Sequence, residues 1–347
     1  MKIRKIIIVF LSFYISSVTA QKIVTVSEAI KLALENNYGI KIISNTKKIA
    51  KNNASILNSG YLPTVTSTSG ATFNKDNIEA EFANGETTQL NGAKSSRYNA
   101  SINLNYTLFD GLGRYYNYKR LKETYKLSEL QARETIENTI AQLYAVYYNV
   151  AQVSESVDVL ERTLTISKDR IKRANYQFEY GQGTMLDVLN AQVDVNNDSI
   201  NLINAKQQLV NTKRDLNVVL GNVITSEFNV ETSIDFKLDV DQNDLINKMK
   251  SNNVRLLQLD KNLMINKFII KANKSGYLPS IGLTGAYGWN KGNNNAASFV
   301  AVSTNTGLSG GLNLSWNLFD GGSTATRVSN AKIDLENKAL EKESMMI

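Results

Sequence analysis

The sequence predicts an α+β membrane protein built as an internal tandem repeat, each unit holding a membrane-crossing β-hairpin and long coiled-coil helices. Three observations predict it. Two landmarks recur in the same order at nearly one offset. Segments of about ten residues alternate apolar with uncharged polar side chains, and the helical stretches between them are too long for a globule.

Composition sets the outer limits. The 347 residues include 2 prolines and 20 glycines but neither cysteine nor histidine. Thiolate nucleophiles, disulfides, imidazole bases, haem ligands and zinc fingers are thereby excluded, and the sequence implies no cofactor and no metal site. The formal charge is +7; removing Lys2, Arg4 and Lys5 with a cleaved leader takes the 39 basic residues to 36, against 32 acidic. That balance gives no reason to expect nucleic acid as a partner.

The leader occupies residues 1–20. Lys2, Arg4 and Lys5 precede the apolar run Ile6 to Ile15, and Ser16 to Ala20 supply the small-residue cleavage site of a secretory signal peptide, cut between Ala20 and Gln21. The run is about half the roughly 20 residues that a helical membrane span needs, and no later stretch is apolar for long enough. Insertion into a membrane would therefore be as a barrel.

A repeat organises the rest of the chain. Ser59, Gly60, Tyr61, Leu62, Pro63 returns as Ser275, Gly276, Tyr277, Leu278, Pro279. Asn103, Leu104, Asn105, Tyr106, Thr107, Leu108, Phe109, Asp110, Gly111 returns as Asn313, Leu314, Ser315, Trp316, Asn317, Leu318, Phe319, Asp320, Gly321. The offsets are 216 and 210. A first repeat spans 21–221, a polar linker 222–244 and a second repeat 245–347. Each repeat opens on a helical pattern, Val26 to Leu57 and Leu245 to Ala272, stopped by Gly60 with Pro63 and by Gly276 with Pro279.

β-Hairpins come next, at 61–109 and 277–319. Tyr98, Ala100, Ile102, Leu104, Tyr106 and Leu108 alternate with Asn99, Ser101, Asn103, Asn105 and Thr107, and the second repeat matches this with Leu308, Leu312, Leu314, Trp316 and Leu318. Shorter partners run from Pro63 to Phe73 and from Ser280 to Trp289. Between the strands, Asn74 to Arg97 and Asn290 to Gly307 read as exposed loops. Tyr98, Tyr106, Tyr287, Trp289 and Trp316 suit the interfacial belts of a membrane barrel. A soluble β-sandwich would also alternate, but its solvated face would carry Lys or Glu, and these segments carry no charge. Four strands are too few to close a barrel, so the chain must oligomerise to insert.

After Gly111 a helical hairpin occupies 112–220. Leu143, Val150, Val157, Leu164, Ile171 and Phe178 fall seven apart, with Val146, Val153, Leu160, Ser167 and Ala174 as a second row. The return helix has Val188, Val195, Leu202, Leu209 and Leu216, flanked by Leu189, Asn196, Ile203, Val210 and Asn217. The turn Tyr180, Gly181, Gln182, Gly183, Thr184 makes the pair antiparallel. Heptads alone suit a stalk or a dimerisation rod; strands at the base favour a prolonged pore.

On these residues, the mature chain resembles the TolC family of outer-membrane efflux proteins over its whole length. The resemblance rests on the duplicated unit, the two Gly-Tyr-Leu-Pro and two Leu-Phe-Asp-Gly motifs, and the segment Tyr180, Gly181, then Thr184 to Gln192, which is similar to the family's hairpin-tip pattern. It implies a homotrimer with four transmembrane strands per chain in one 12-stranded barrel in outer-membrane lipid, continued by a periplasmic tunnel of antiparallel coiled-coil helices. It also implies that the tip meets a periplasmic adaptor and, through it, an inner-membrane pump. Residues 222–244 would belong to an equatorial belt. Tyr180, Gly181, Gly183, Thr184 and Asp187 would form the adaptor contact and gate; Asp187 reads equally as a carboxylate favoured at a helix N-terminus.

Gly60, Pro63, Asp110, Gly111, Gly276, Pro279, Asp320 and Gly321 mark the turns into and out of the strands. Asp110 and Asp320, each followed by glycine, read as turn or cap residues rather than a catalytic pair, and Tyr115, Tyr116, Tyr118 and Tyr125 as packing. The function implied is a passive exit duct of an efflux or type I secretion system, with no enzymatic activity; the alternative is a secreted coiled-coil surface stalk. The first repeat runs about 110 residues past its Asp-Gly and the second only 26. A truncated product or incomplete gene, lacking the second tip and much of the gate, is expected.

Overall fold

The computed structural model describes residues 22–83, 85–224, 227–233 and 241–346. The leader at 1–20 lies outside the described residues, as does the linker stretch 234–240. The chain divides into two compact units, residues 1–45 with 131–247 and residues 46–130 with 248–347.

The first unit is largely helical. β1 (Lys22–Val24) leads into α1 (Val26–Asn36), capped by Thr25, whose side chain accepts from the Glu28 amide at 3.2 Å. α2 (Tyr38–Asn53) comes after it, and α3 (Gly113–Glu179) and α4 (Met185–Val219) make the long hairpin; residues 46–53 of α2 and 113–130 of α3 belong to the second unit. β4 (Phe228–Val230) pairs in parallel with β1. Tyr147 of α3 is completely buried beside this ladder. Its hydroxyl donates to the Val24 carbonyl at 2.7 Å and accepts from the Glu231 amide at 2.9 Å, so one oxygen ties both strands to the helix. Burial, more than anything else, raises its pKa. Ala29, Ala33, Leu143, Val150, Leu216, Leu220 and Phe228 pack in the same cluster.

Along the hairpin Leu143, Val150 and Val157 of α3 are buried at seven-residue spacing, and Val188, Leu202 and Leu216 of α4 at fourteen, with Val195 and Leu209 between them half-buried. The second inward row of α4 is not the one the heptads suggested. Leu189, Ile203 and Val210 are exposed, and Ala191, Thr212 and Val219 are buried instead. Heptad arithmetic does not say which flank of a seam turns inward. Here the flank of Ala191, Thr212 and Val219 does, and Ser167 donates to the Asp198 carboxylate from the facing helix.

The second unit contains the sheet. β2 (Thr64–Glu81), β3 (Thr87–Asp110), β5 (Ser280–Asn293) and β6 (Val302–Ser315) are antiparallel in the order β2-β3-β5-β6. Also present are the end of α5 (Gln242–Asn252), which begins in the first unit, with α6 (Val254–Lys274) and α7 (Ser323–Met346).

The strands differ from their expected bounds at both ends. Asn74 to Arg97 is not an open loop: the ladder continues from Asn74 opposite Ser95 to Glu81 opposite Thr87, and the chain turns at Phe82 to Glu86, the Phe82 amide donating to the Glu86 carbonyl at 2.8 Å. A bulge between Asp76 and Ile78, with Gly92 at φ 69°, shifts the alternation out of phase and hides it in the sequence. Asn290 to Gly307 likewise shortens to 294–301. At the other end β6 stops at Ser315, so Trp316 to Phe319 are not strand. Ser315 faces Ser280, and the preceding Pro279 has no N–H with which to extend the ladder.

The two opening helical patterns break at Asn37 and at Asn253, and the first ends at Asn53, short of a 3-10 turn at Ile56–Asn58. Asn37 Oδ1 accepts from the Ile40 amide at 3.2 Å while its Nδ2 donates to the Val219 carbonyl at 2.9 Å. Asn253 Oδ1 accepts from the Arg255 and Leu256 amides at 3.0 and 3.2 Å. These asparagines are 216 residues apart, a third landmark of the duplication.

Candidate functional site

The sheet has two chemically distinct faces. Register places Ile102, Leu104 and Tyr106 of β3 opposite Tyr287, Gly285 and Leu283 of β5, which in turn face Leu308, Gly310 and Leu312 of β6. On the other face Ser101, Asn103 and Asn105 lie opposite Thr68, Thr66 and Thr64. Thr68 Oγ1 and Ser101 Oγ share a 2.9 Å hydrogen bond, and Asn103 Nδ2 donates to Ser101 Oγ at 3.1 Å. Neither face carries a charge along residues 64–74, 98–109, 280–290 or 302–315. The apolar face is bare in one chain, with Leu308 83% and Leu312 72% exposed, which water would penalise and lipid would not. Among the described residues no helix is long and apolar enough to cross a membrane.

Aromatic side chains bracket that face. Tyr98 packs edge-on against Phe73 at 5.7 Å, with Trp289 opposite the neighbouring Ala100. Toward the helical end lie Tyr106 and Trp316, whose Nε1 donates to the Tyr277 carbonyl at 3.1 Å. From Tyr98 to Leu108, ten steps of about 3.4 Å tilted by about 40° span roughly 25 Å, the height of an outer-membrane apolar band. Tyr287, opposite Ile102, falls near the middle of that band rather than at an edge, because β5 runs on to Asn293.

The turns are held by carboxylates and close approach. Asp110 Oδ2 accepts from the Arg114 amide at 2.8 Å and from Arg114 Nε at 3.2 Å; Asp320 Oδ2 accepts from the Thr324 amide at 2.8 Å and its Oδ1 from the Gly322 amide at 3.1 Å. Both aspartates therefore cap the helix after them. Gly60, Gly111 and Gly321 have φ of 76°, 67° and 66°, and a Cβ on Gly276 would lie 2.7 Å from Thr324 Oγ1. Pro63 and Pro279 stand immediately before β2 and β5. Arg114 is the turn residue that sequence motifs do not reveal. Its Nη1 donates to the Gly60 carbonyl at 2.8 Å and its Nη2 to the Thr107 carbonyl at 2.6 Å, and the guanidinium lies 5.4 Å from the Tyr61 ring centre. Among the described residues no cluster of carboxylates could hold a metal ion.

At the hairpin tip α3 ends at Glu179, and Gly181, at φ 71°, turns the chain. Gly183 comes next, and Thr184 caps α4 in a capping box: its hydroxyl accepts from the Asp187 amide at 3.3 Å, and Asp187 Oδ2 accepts from the Thr184 hydroxyl at 2.6 Å and amide at 2.9 Å. Those bonds, the hydroxyl's first, hold the Asp187 carboxyl below its ordinary pKa. Within one chain Asp187 thus serves its own helix. Tyr180, Met185, Leu186, Leu189 and Val193 are exposed around it. Leu186, Val193 and Ile200 form a seven-residue row facing outward on α4, as Val159 and Ile166 do on α3. This second apolar row is a signal that the sequence carries and that the inward heptads leave unused.

The sequence matches the family profile described as outer membrane efflux protein over residues 29–222. A comparison with curated proteins gives no match. Among solved structures the fold is similar to the Campylobacter jejuni CmeC outer membrane channel, with a TM-score of 0.72 at 17% identity over 92% of this chain and 67% of that one. It is also similar to the Neisseria gonorrhoeae MtrE outer membrane channel in its open state, with a TM-score of 0.67 at 16% identity over 92% of this chain and 69% of that one. The Vibrio cholerae outer membrane protein VceC matches with a TM-score of 0.65 at 12% identity, over 92% of this chain and 75% of that one.

Proposed function

We propose, from the premise that this chain belongs to the outer membrane efflux protein family, that its helical tip engages a periplasmic adaptor and, through it, an inner-membrane pump. As a member of that family the protein is an outer membrane efflux channel and not an enzyme. Channels of the TolC family form trimers.

One observation carries the reading: a sheet of four strands, apolar on one face and uncharged polar on the other, with β2 and β6 left as edges. The smallest membrane barrels have about eight strands, and an open edge in lipid leaves backbone groups unpaired. Three copies of four strands make a twelve-stranded wall in which each β6 meets the β2 of the next chain. The hydroxyls and amides then line the lumen and the leucines meet lipid. A solute delivered from below passes neutral donors and acceptors, so the duct sorts little, and direction and energy come from the pump.

In this scheme Tyr180, Gly181, Gly183, Thr184 and Asp187 form the contact and gate. The capping box keeps the turn rigid while Tyr180, Leu186 and Leu189 offer an apolar surface to a partner helix. Residues 21–221 and 245–347 are the repeats, and 222–244 belongs to the belt between them. Reconstituted protein is expected to run as a trimer and to conduct ions in planar bilayers, and a photo-crosslinker at Leu186 is expected to capture the adaptor. A monomer released without detergent and lacking conductance would overturn the reading in favour of a secreted stalk.

A further inference from the structure

Moving along the sheet away from the helices, the first charges on its apolar face are all basic. Lys291 lies opposite Tyr98, and four residues further along β3 Lys94 lies opposite Lys75. All three share the face of Ile102 and Leu104. Two ammonium groups placed directly opposite on neighbouring strands repel. No ion pair among the described residues involves any of the three; Asp76, next to Lys75 in sequence, lies opposite Ala93 on the other face, and Glu79, four residues further along the lysine face, accepts from Gln89 Nε2 at 3.0 Å.

Lys75 and Lys94 border an open cleft of about 530 Å³, lined also by Phe73, Asn74, Ser95, Ser96 and Asn293. Asn293 Nδ2 donates to Ser96 Oγ at 2.9 Å, leaving the Ser96 hydroxyl hydrogen for another acceptor. Phe73, packed on Tyr98, continues the cleft into the apolar band. The backbone makes room for the lysine stem: Gly92 has φ 69°, and a Cβ there would lie 3.1 Å from Lys75 Cε. Cations without counterions, a hydroxyl donor and an aromatic wall at the apolar margin are complementary to a phosphate borne on acyl chains.

We propose that this face binds the phosphate headgroup of an acylated lipid in the leaflet at the β-hairpin-tip end of the barrel. Lys75, Lys94 and Ser96 hold the phosphate, Lys291 adds charge at the level of Tyr98, and Phe73 and Tyr98 meet the acyl chains. The inference rests on the barrel reading under Proposed function.

The test uses the detergent-purified trimer, native mass spectrometry, and diphosphorylated lipid A against its phosphate-free counterpart as probes. Wild type is expected to retain the diphosphorylated lipid preferentially. Each lysine changed to Gln is expected to weaken retention about fivefold, Lys75→Gln with Lys94→Gln together more than tenfold, and Lys94→Arg hardly at all. Equal retention of both lipids, or a Lys75→Gln, Lys94→Gln variant that still conducts in bilayers and retains lipid A as wild type does, would overturn the proposal while leaving the channel intact. Should the double variant not assemble, single Lys291→Gln, with the same expectation of about fivefold, decides the matter. Absence of conductance in wild type itself would sink the barrel reading instead.

Discussion

The two turns that lead out of the sheet carry the same Leu-Phe-Asp-Gly motif and the same aspartate cap, yet their surroundings differ. After β3, a Cβ on Gly111 would lie 2.7 Å from the Ser275 carbonyl oxygen and 2.9 Å from Leu278 Cβ, so the second repeat's Ser-Gly-Tyr-Leu-Pro turn closes over it. After β6, a Cβ on Gly321 would meet nothing within 4 Å, and Leu318 and Phe319 are 81% and 88% exposed. Arg114, in the first turn, corresponds to Thr324 in the second at the offset of 210. The duplicated turn is thus covered by the second repeat's Ser275 and Leu278 after β3 and is bare after β6. In the proposed ring the next repeat would be a neighbouring copy's Ser59 to Pro63, which would make the bare turn a contact.

The largest expected effect comes from adding one carbon to each turn. Gly111→Ala combines the left-handed backbone with a clash against backbone, and a loss of about 3 kcal/mol is expected in chemical unfolding. Gly321→Ala carries only the backbone cost in an isolated chain, about 1 kcal/mol. In the trimer it is expected to approach Gly111→Ala, and a persistent gap between the two would break the cyclic stacking. Next, Arg114→Ala removes hydrogen bonds to Asp110, Gly60 and Thr107 and is expected to cost about 2 kcal/mol. Arg327→Ala loses a bond to the Thr324 hydroxyl and is expected to cost under about 1 kcal/mol by the same measurement. Away from the sheet, Tyr147→Phe strands the Val24 carbonyl and the Glu231 amide, and roughly 1–2 kcal/mol is expected, read by hydrogen exchange of the β1–β4 ladder.

The smallest effect is a pH dependence. Hydrogen bonds from the Thr324 hydroxyl and amide, joined by the Gly322 amide, hold the Asp320 carboxyl below its ordinary pKa. A depressed carboxylate contributes stability above its unfolded pKa and loses it as the pH falls through the folded value. Protection of the first turn of α7 is therefore expected to be flat from neutral pH down to the ordinary carboxylate range and to drop below it. Asp320→Asn is expected to remove that acid drop.

Much of the fold is legible in the sequence, for identifiable reasons. Period-two alternation from Tyr98 to Leu108 is a direct image of a two-faced sheet, and the recurring Gly-Tyr-Leu-Pro and Asp-Gly motifs mark turns where φ is positive or a neighbouring group approaches closely. What stays hidden depends on partners distant in sequence. The bulge at Asp76 shifts the alternation by one residue. Asn37 breaks a helix that its own neighbours would continue, because Val219 accepts its side chain. The choice of Ala191 over Leu189 as the inward row depends on the facing helix, and the reach of Arg114 back to Gly60 spans 54 residues. At the tip, Asp187 reads equally well as cap or gate in sequence; its capping box emerges only from geometry, and its part in a gate belongs to the proposal.

The central claim is that the uncharged polar face of the sheet lines a shared aqueous pore and the apolar face meets lipid. The chain has no cysteine, so single cysteines report cleanly. Asn103→Cys and Ile102→Cys occupy adjacent positions on opposite faces of β3. A small charged thiol reagent added to channels in a planar bilayer is expected to step down the current through the Asn103→Cys protein and leave the Ile102→Cys protein unchanged. Modification of both residues at equal rates, or block only at Ile102→Cys, would contradict the account.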